Sequence, residues 1–173
     1  YASDIKTPPG RLRIAFHSKA YNDAPVHADC RAAVEDAAKL CAGLGHTVDE
    51  CSLQYDLTRY ARAIRVIVAA NTRRTVDDRL AELGCALEPD DLEPVTYATY
   101  KSAERYTAAD YVASLHTIHD ASRHIARFLA EWDVILTPTQ ATPPMKLGGA
   151  LRLNHPDQKE FAAAIAQTVG FTQ

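Results

Sequence analysis

Two threonines near the C-terminus stand where hydroxyl groups could bind a polar ligand. Thr137 and Thr139 directly follow an apolar, β-prone run that Asp133 opens, and a stretch rich in proline and glycine comes after them. Such a run predicts a short buried strand, and the Thr-Pro step predicts that the strand ends there. In open α/β sheets, the loops that follow strand ends lie near the ligand. Thr137 and Thr139 are therefore predicted substrate-binding residues, although the same hydroxyls could instead satisfy backbone groups of the loop.

Asn71 is the third predicted ligand contact. It falls in a long helical stretch that begins near Leu57, at the spacing of the apolar residues predicted to face inward. A polar side chain in that register either contacts a ligand or forms a hydrogen bond within its own helix. Both interpretations stay open at this point.

The remaining groups capable of chemistry do not form a recognisable site. His116, His119 and His124 share one predicted helix but do not converge, and no carboxylate completes a zinc motif. The adjacent His119 and Asp120 point about 100° apart on a helix, so they cannot form a proton relay. The four cysteines form no C-x-x-C pair and are interpreted as reduced thiols of a cytoplasmic protein. No cofactor and no metal is predicted.

The composition favours a globular protein that acts on small molecules. The chain has 173 residues, 47% of them apolar and 24% charged, and a single domain over residues 1–173 is expected. A net charge of −3 without a basic stripe argues against nucleic acid as a partner. No apolar run approaches the roughly 20 residues of a membrane helix, and no signal peptide is recognisable. A cytoplasmic location without membrane contact is therefore expected, and a homo-oligomer stays open.

The periodicity of apolar residues predicts alternating strands and helices. The predicted elements are a strand over 12–16, a helix over 26–44, a strand over 46–51, a helical stretch from 57 to Gly84, a helix over 97–106, a helix capped by Thr107 and Asp110, the strand after Asp133, and a helix over 158–169. The first three form a βαβ unit with parallel strands. The pattern predicts an α/β fold in which this unit and several helices pack on a small mixed sheet.

Three segments of the chain resemble the amidase signature hydrolases. They are 12–16 together with 25–40, then 44–50, and then 130–144, which contains Asp-Val-Ile-Leu-Thr-Pro-Thr. Their order and spacing cover nearly the whole chain. The sequence as a whole is similar to bacterial amidases that act on small or linear amides, including the nylon-oligomer-hydrolase-like (6-aminohexanoate-cyclic-dimer-hydrolase-like) branch.

The resemblance implies amide hydrolysis through an acyl-enzyme on a serine, with a second serine and a lysine as the proton relay. It also implies an oxyanion bound by backbone N–H groups of a Gly/Ser-rich loop. No serine of this chain stands in a Gly-rich context, so no catalytic residue is carried over. The expectation is a partial amidase domain, truncated at both ends and inactive alone, that forms the substrate-side wall for a small-molecule amide.

Two other functions stay open. One is a stand-alone α/β module whose loop 17–25 binds a small ligand or a protein. The other is a portion of the A subunit of a tRNA-dependent amidotransferase. A free-standing sheet of three strands would leave an edge bare, so the amidase interpretation predicts exposed apolar strand edges and self-association of the isolated chain.

Overall fold

The structure is a computed structural model that describes residues 2–21, 24–88, 90–144, 157 and 159–160. Its main elements in chain order are β1 (Arg13–Phe16), α1 (Ala28–Gly43), β2 (Thr47–Glu50), α2 (Leu57–Leu83), α3 (Pro94–Ser102), α4 (Ala108–Phe128) and β3 (Val134–Leu136). Short 3-10 turns occur at Asp4–Lys6 and Ala103–Arg105. The helix predicted over 158–169 lies outside the described residues, apart from Lys159 and Glu160.

The three described strands form one sheet in the order β2-β1-β3, and both pairs are parallel. The predicted α/β class and the parallel βαβ unit are confirmed. The sheet is parallel throughout its described strands, whereas a mixed sheet was expected. The reason is that helices connect β1 to β2 and β2 to β3, and a helical crossover returns the chain to the edge where the previous strand began.

The central strand β1 carries the core of the sheet. Ile14 and Ala15 are 4% and 0% exposed, so both faces of β1 are covered. Val34 and Ala38 are the buried residues of α1. A strand covered on both faces is typical of parallel sheets, and it places the ends of β1 at fixed positions in the molecule.

The chain divides into two compact units. In the described residues, the first unit comprises the chain up to Gln54 together with 124–144, and the second comprises 55–123 together with 157, 159 and 160. The first contains the sheet and α1, and the second contains α2, α3 and most of α4. The expectation of a single domain over 1–173 stays a prediction.

In the second unit α2 packs against α3, and the buried residues of α2 are Ala63, Val66 and Ala69. The predicted inward position of Asn71 is wrong. Asn71 is exposed, and its side-chain amide donates a hydrogen bond to the carbonyl of Ile67 at 2.9 Å. Apolar residues lie on more than one face of α2, as the 48% exposure of Val68 shows, so periodicity alone did not identify the buried face.

Two predicted helix signals are confirmed. At the start of α4 the backbone N–H of Asp110 donates to Thr107 Oγ1 at 3.1 Å, and the backbone N–H of Thr107 donates to Asp110 Oδ2 at 2.9 Å. This reciprocal pair is a capping box with aspartate in place of glutamate. At the end of α2, Gly84 has a φ of 66°, a left-handed conformation that glycine adopts without strain.

None of the helices in the described part of the chain has the length and apolar character needed to span a bilayer.

Candidate functional site

The loops that follow β1 and β3 leave the sheet side by side. The backbone N–H of His17, directly after β1, donates to the carbonyl of Leu136, the last residue of β3, at 3.0 Å. At the opposite end, Asp133 and Arg13 join the starts of the same two strands. The carboxyl edge of the sheet is thus built from the two segments that begin at His17 and at Thr137, and this edge is where parallel sheets place ligands.

A cleft of about 410 Å³ opens at this edge, beside α1. Its lining residues are Cys30, Ala33, Val34 and Ala37 of α1, together with Leu136 and the loop 137–144 except Ala141. We call it the α1 cleft, and we call residues 137–144 the Thr-Pro loop. The volume falls in the range of small-molecule sites.

The structure brings two of the three predicted site residues together. Thr137 is half-buried and Thr139 is exposed, and both line the α1 cleft. Asn71 belongs to the second unit and is not among the residues that line this cleft. The residues after the strand end are therefore placed as predicted, beside a concave surface.

The Thr-Pro loop is fastened to the start of α1. The backbone N–H of His27 donates to the carbonyl of Ala141 at 2.7 Å, and Ala141 is only 1% exposed. Pro138 is also buried. The proline ring restricts the backbone φ angle of Pro138. The buried Ala141, with its backbone hydrogen bond, holds the middle of the loop in place. The wall of the cleft therefore exists before any ligand binds.

Thr142 is a site residue that sequence reasoning missed. Its Oγ1 is buried and has no hydrogen-bond partner among the described residues, and the side chain lines the α1 cleft. A buried hydroxyl normally finds a partner, so an unpaired one is an exception within this loop. The oxygen has almost no accessible surface, so the rest of the residue forms the cleft wall. No signal in the sequence separates Thr142 from the other loop threonines, because burial within a loop depends on tertiary contacts.

His17 is a second polar group that sequence reasoning did not single out. The residue is 5% exposed, its Nε2 has no partner among the described residues, and its ring centroid lies 4.8 Å from that of Tyr21. Burial lowers the pKa of His17, and Glu50 partly offsets this shift while Lys19 adds to it. Burial therefore favours the neutral form of the imidazole. Its position directly after the central strand was the available signal.

Metal-binding chemistry has no recognisable centre in the described part of the chain. Among those residues, no group of three or more His, Cys, Asp or Glu side chains is placed to hold a metal ion. The prediction that no metal or cofactor is needed stays a prediction. Cys30, Cys41 and Cys51 are half-buried free thiols and Cys85 is exposed. Of these, only Cys30 lines the α1 cleft.

The fold and the cleft define an α/β protein with a cleft of small-molecule size at the carboxyl edge of a parallel sheet. The profile of the Amidase family matches residues 1–172, and the chain belongs to this family. The resemblance inferred from the three sequence segments is confirmed.

Individual relatives of the chain share only about a quarter of the aligned residues with it. The chain is 24% identical over 179 residues to 6-aminohexanoate-cyclic-dimer hydrolase of Paenarthrobacter ureafaciens, covering 99% of this chain and 36% of that protein. It is 26% identical over 160 residues to Lipoamidase of Enterococcus faecalis, covering 88% of this chain and 22% of that protein. The chain thus spans about a third or less of the length of these curated relatives.

Solved structures support the same fold. A 6-aminohexanoate cyclic dimer hydrolase complexed with substrate matches with a TM-score of 0.81 at 23% identity, over 98% of this chain and 38% of that one. A bacterial aryl acylamidase of the amidase signature family matches with a TM-score of 0.65 at 17% identity, over 79% of this chain and 29% of that one. At such identities the likeness shows the fold alone.

Proposed function

We propose that this chain is part of an amide hydrolase and forms one wall of its substrate site. Membership of the Amidase family supports amide hydrolysis as the reaction class. The observation that carries the proposal is the α1 cleft, because the Thr-Pro loop that lines it belongs to the segment that resembles the family. Thr137 and Thr139 are the proposed substrate contacts in this wall, and Asn71 stays a predicted contact outside it.

In the proposed reaction a serine from outside these 173 residues attacks the amide carbonyl, and the C–N bond breaks. The amine leaves with a proton that a second serine and a lysine deliver, and water then hydrolyses the acyl-enzyme. The residues of this chain bind and orient the amide rather than react with it. Threonine hydroxyls suit this role because they both donate and accept hydrogen bonds, as an amide requires.

The test uses the full-length protein that contains this chain. Release of methylamine from a small linear amide, N-methylhexanamide, measures the activity, and T137V and T139V remove one hydroxyl each at nearly constant volume. Loss of one substrate hydrogen bond that is made equally in ground and transition states raises KM about 5- to 10-fold and leaves kcat nearly unchanged. N71A tests the third predicted contact in the same assay.

Thr75→Val is the matched control, because Thr75 is an exposed residue of α2 in the second unit. Its KM is expected to equal that of the unsubstituted protein. A folded full-length protein that releases no amine from linear amides would contradict the proposed function. In that case the α1 cleft would belong to a binding module without hydrolytic activity.

A further inference from the structure

A second cleft, of about 360 Å³, lies between α1 and the carboxyl ends of β1 and β2. We call it the β2 cleft, and no described residue lines both it and the α1 cleft. Residues two apart on a strand, and three or four apart on a helix, share a face, and the lining of the β2 cleft follows both spacings. Its apolar part is formed by Phe16, Ala38, Ala42 and Val48. Such a surface suits a short alkyl chain.

The polar part of the β2 cleft carries an excess of negative charge. Glu35 and Glu50 both line it, and neither forms an ion pair with another described residue. Lys39 is the one cation among the described lining residues, and its ammonium is paired at 3.1 Å with Asp36, which lies outside the lining. Burial lowers the pKa of His17, and the negative charge of Glu50 acts against this shift, so the charge is felt at the end of the sheet. Two unpaired carboxylates at one cleft attract a positively charged ligand.

The hydroxyl of Ser18 is a third acceptor in this cleft. Ser18 is 7% exposed, and its side chain has no hydrogen-bond partner among the described residues. Its Oγ is not fully enclosed, whereas His17 Nε2 and Thr142 Oγ1 are. Polar groups of buried residues are normally paired, so this hydroxyl is an exception, and its residue lines the β2 cleft. A ligand in the cleft can bond to Ser18 without breaking an existing hydrogen bond.

The three acceptors match one kind of ligand group. A primary ammonium has three N–H donors and a positive charge, and its hydrogen bonds to carboxylates are charge-assisted. A metal ion fits less well, because no group of three or more His, Cys, Asp or Glu among the described residues is placed to hold one. We propose that the β2 cleft binds a primary alkylammonium ion, with Glu35 and Glu50 as the opposite charges and the Ser18 hydroxyl as the third acceptor. This inference goes beyond the proposed function and does not depend on hydrolysis.

The backbone holds these acceptors in place. Phe16 and Glu50 are partners in the register of β1 and β2, and the N–H of Cys51 donates to the carbonyl of Phe16 at 3.0 Å. Glu50 and the segment that leads to Ser18 are therefore fixed side by side. The helix that carries Glu35 is packed through its buried residues Val34 and Ala38. Binding consequently requires little ordering of the backbone.

Three probes of similar simplicity separate the parts of this recognition. Saturation-transfer difference NMR on the full-length protein measures the Kd of each probe, and it detects weak ligands. Butylammonium carries both the charge and the N–H donors, 1-butanol lacks the charge, and tetramethylammonium lacks the donors. Butylammonium is expected to bind, and each of the other two to bind about tenfold more weakly or not at all.

Substitutions assign the binding to the three acceptors. E35Q and E50Q are each expected to raise the Kd of butylammonium about tenfold, and S18A about fivefold. D49N is the matched control, because Asp49 is an exposed residue of β2 whose side chain points to the opposite face of the strand from Glu50. It removes the same charge and should leave the Kd unchanged. E35Q and E50Q should also be no less stable to urea than the unsubstituted protein, since neither breaks an ion pair between described residues, and this separates loss of binding from loss of folding.

Four results would each overturn the inference. Absence of saturation transfer to butylammonium would show that the full-length protein has no such site. Equal binding of 1-butanol or of tetramethylammonium would reduce the cleft to an apolar surface or to a diffuse negative field. Equal weakening by D49N and E50Q would show that only net charge matters, and displacement of butylammonium by equimolar calcium chloride would assign the carboxylates to a metal ion. Because none of the probes is an amide, these outcomes leave the proposed function untouched.

Discussion

Asp133 holds the start of β3 against the start of β1 through both the backbone and the side chain of Arg13. The Asp133 carboxylate accepts the backbone N–H of Arg13 at 2.8 Å and its guanidinium Nη2 at 3.0 Å. In return, the backbone N–H of Asp133 donates to the Arg13 carbonyl at 2.9 Å. The two strands are thereby fixed in register at one end, and the α1 cleft lies at the other end of the same pair.

Replacing Asp133 with asparagine is expected to lower the stability of the sheet in a pH-dependent way. Hydrogen bonds from the Arg13 side chain and backbone hold the pKa of Asp133 below its usual value. A lowered carboxyl pKa gives stability that is fully present above about pH 4 and is lost as the pH falls through the folded-state pKa. The difference in urea midpoint between D133N and the unsubstituted protein should therefore be largest near pH 7 and shrink towards pH 3.

D36N is the control for this comparison. Asp36 also pairs with a cation, Lys39, at 3.1 Å, but both side chains are 74% exposed. An exposed pair on a helix surface contributes little, so D36N should barely move the midpoint at either pH. A difference for D133N that stays constant from pH 7 to pH 3 would show that the Asp133 charge does not stabilise the strand pair.

Local sequence signals predicted the elements of the fold well. The βαβ unit follows from apolar periodicity between glycines and prolines, and the capping box of Thr107 and Asp110 is a contact between near neighbours in the chain. The position of Thr137 and Thr139 after a strand end was predictable for the same reason, while their binding role stays a prediction. These predictions needed no knowledge of the tertiary packing.

The features that were not predicted depend on tertiary contacts. The sequence around Asn71 has apolar residues on several helix faces, and only the packing of α2 against α3 decides which face is buried. Likewise, the unpaired Oγ1 of Thr142 lies in a loop whose Ala141 carbonyl is bonded to His27, a residue far away in the sequence. Whether a single polar atom is buried depends on tertiary contacts of this kind, and no local sequence pattern predicts it.

Tyr100 joins α3 to α2 through a polar contact that should be measurable. Its hydroxyl donates to Asp77 Oδ1 at 2.8 Å, Arg73 Nε donates to Asp77 Oδ2 at 2.8 Å, and the Arg73 guanidinium lies 4.5 Å from the Tyr100 ring centroid. Y100F is expected to cost about 1 kcal/mol in the free energy of unfolding, the net value of one hydrogen bond. Tyr97, which is 39% exposed on the same helix, supplies the control Y97F, expected to be near neutral.

The same contact predicts a response to alkaline pH. The bond to Asp77 and burial raise the pKa of Tyr100. A raised tyrosine pKa gives stability that is present below about pH 10 and is lost as the pH rises through the folded-state pKa. Urea titrations at pH 8 and pH 11 should show a smaller loss of stability for Y100F than for the unsubstituted protein. An equal loss in both would contradict a role for this hydroxyl.

His17 predicts a response on the acid side of neutrality. Because burial lowers its pKa, the unfolded chain binds a proton more readily than the folded protein. Stability should therefore fall as the pH drops below about 6.5, the usual histidine value, until the folded-state pKa is reached. Urea midpoints between pH 5 and pH 8 measure this slope, and H17Q should flatten it.

H116Q is the control for His17, because His116 is an exposed residue of α4. Its pH slope should match that of the unsubstituted protein. If H17Q keeps the full slope, the acid sensitivity of the fold arises from groups other than the buried imidazole at the end of β1.

The edge of the sheet at β3 predicts self-association of the 173-residue chain in isolation. Among the described residues β3 pairs only with β1, and Val134 at its start is 41% exposed. An unpaired apolar edge can pair with another chain, and a lysine on an edge strand opposes this. V134K is expected to shift the chain towards monomer in sedimentation velocity measured over a range of concentrations. V112K places the same charge on an equally apolar but helical position, 50% exposed on α4, and should leave the association unchanged. A chain that is monomeric at all concentrations before any substitution would instead support the binding-module interpretation, in which the sheet edges are covered.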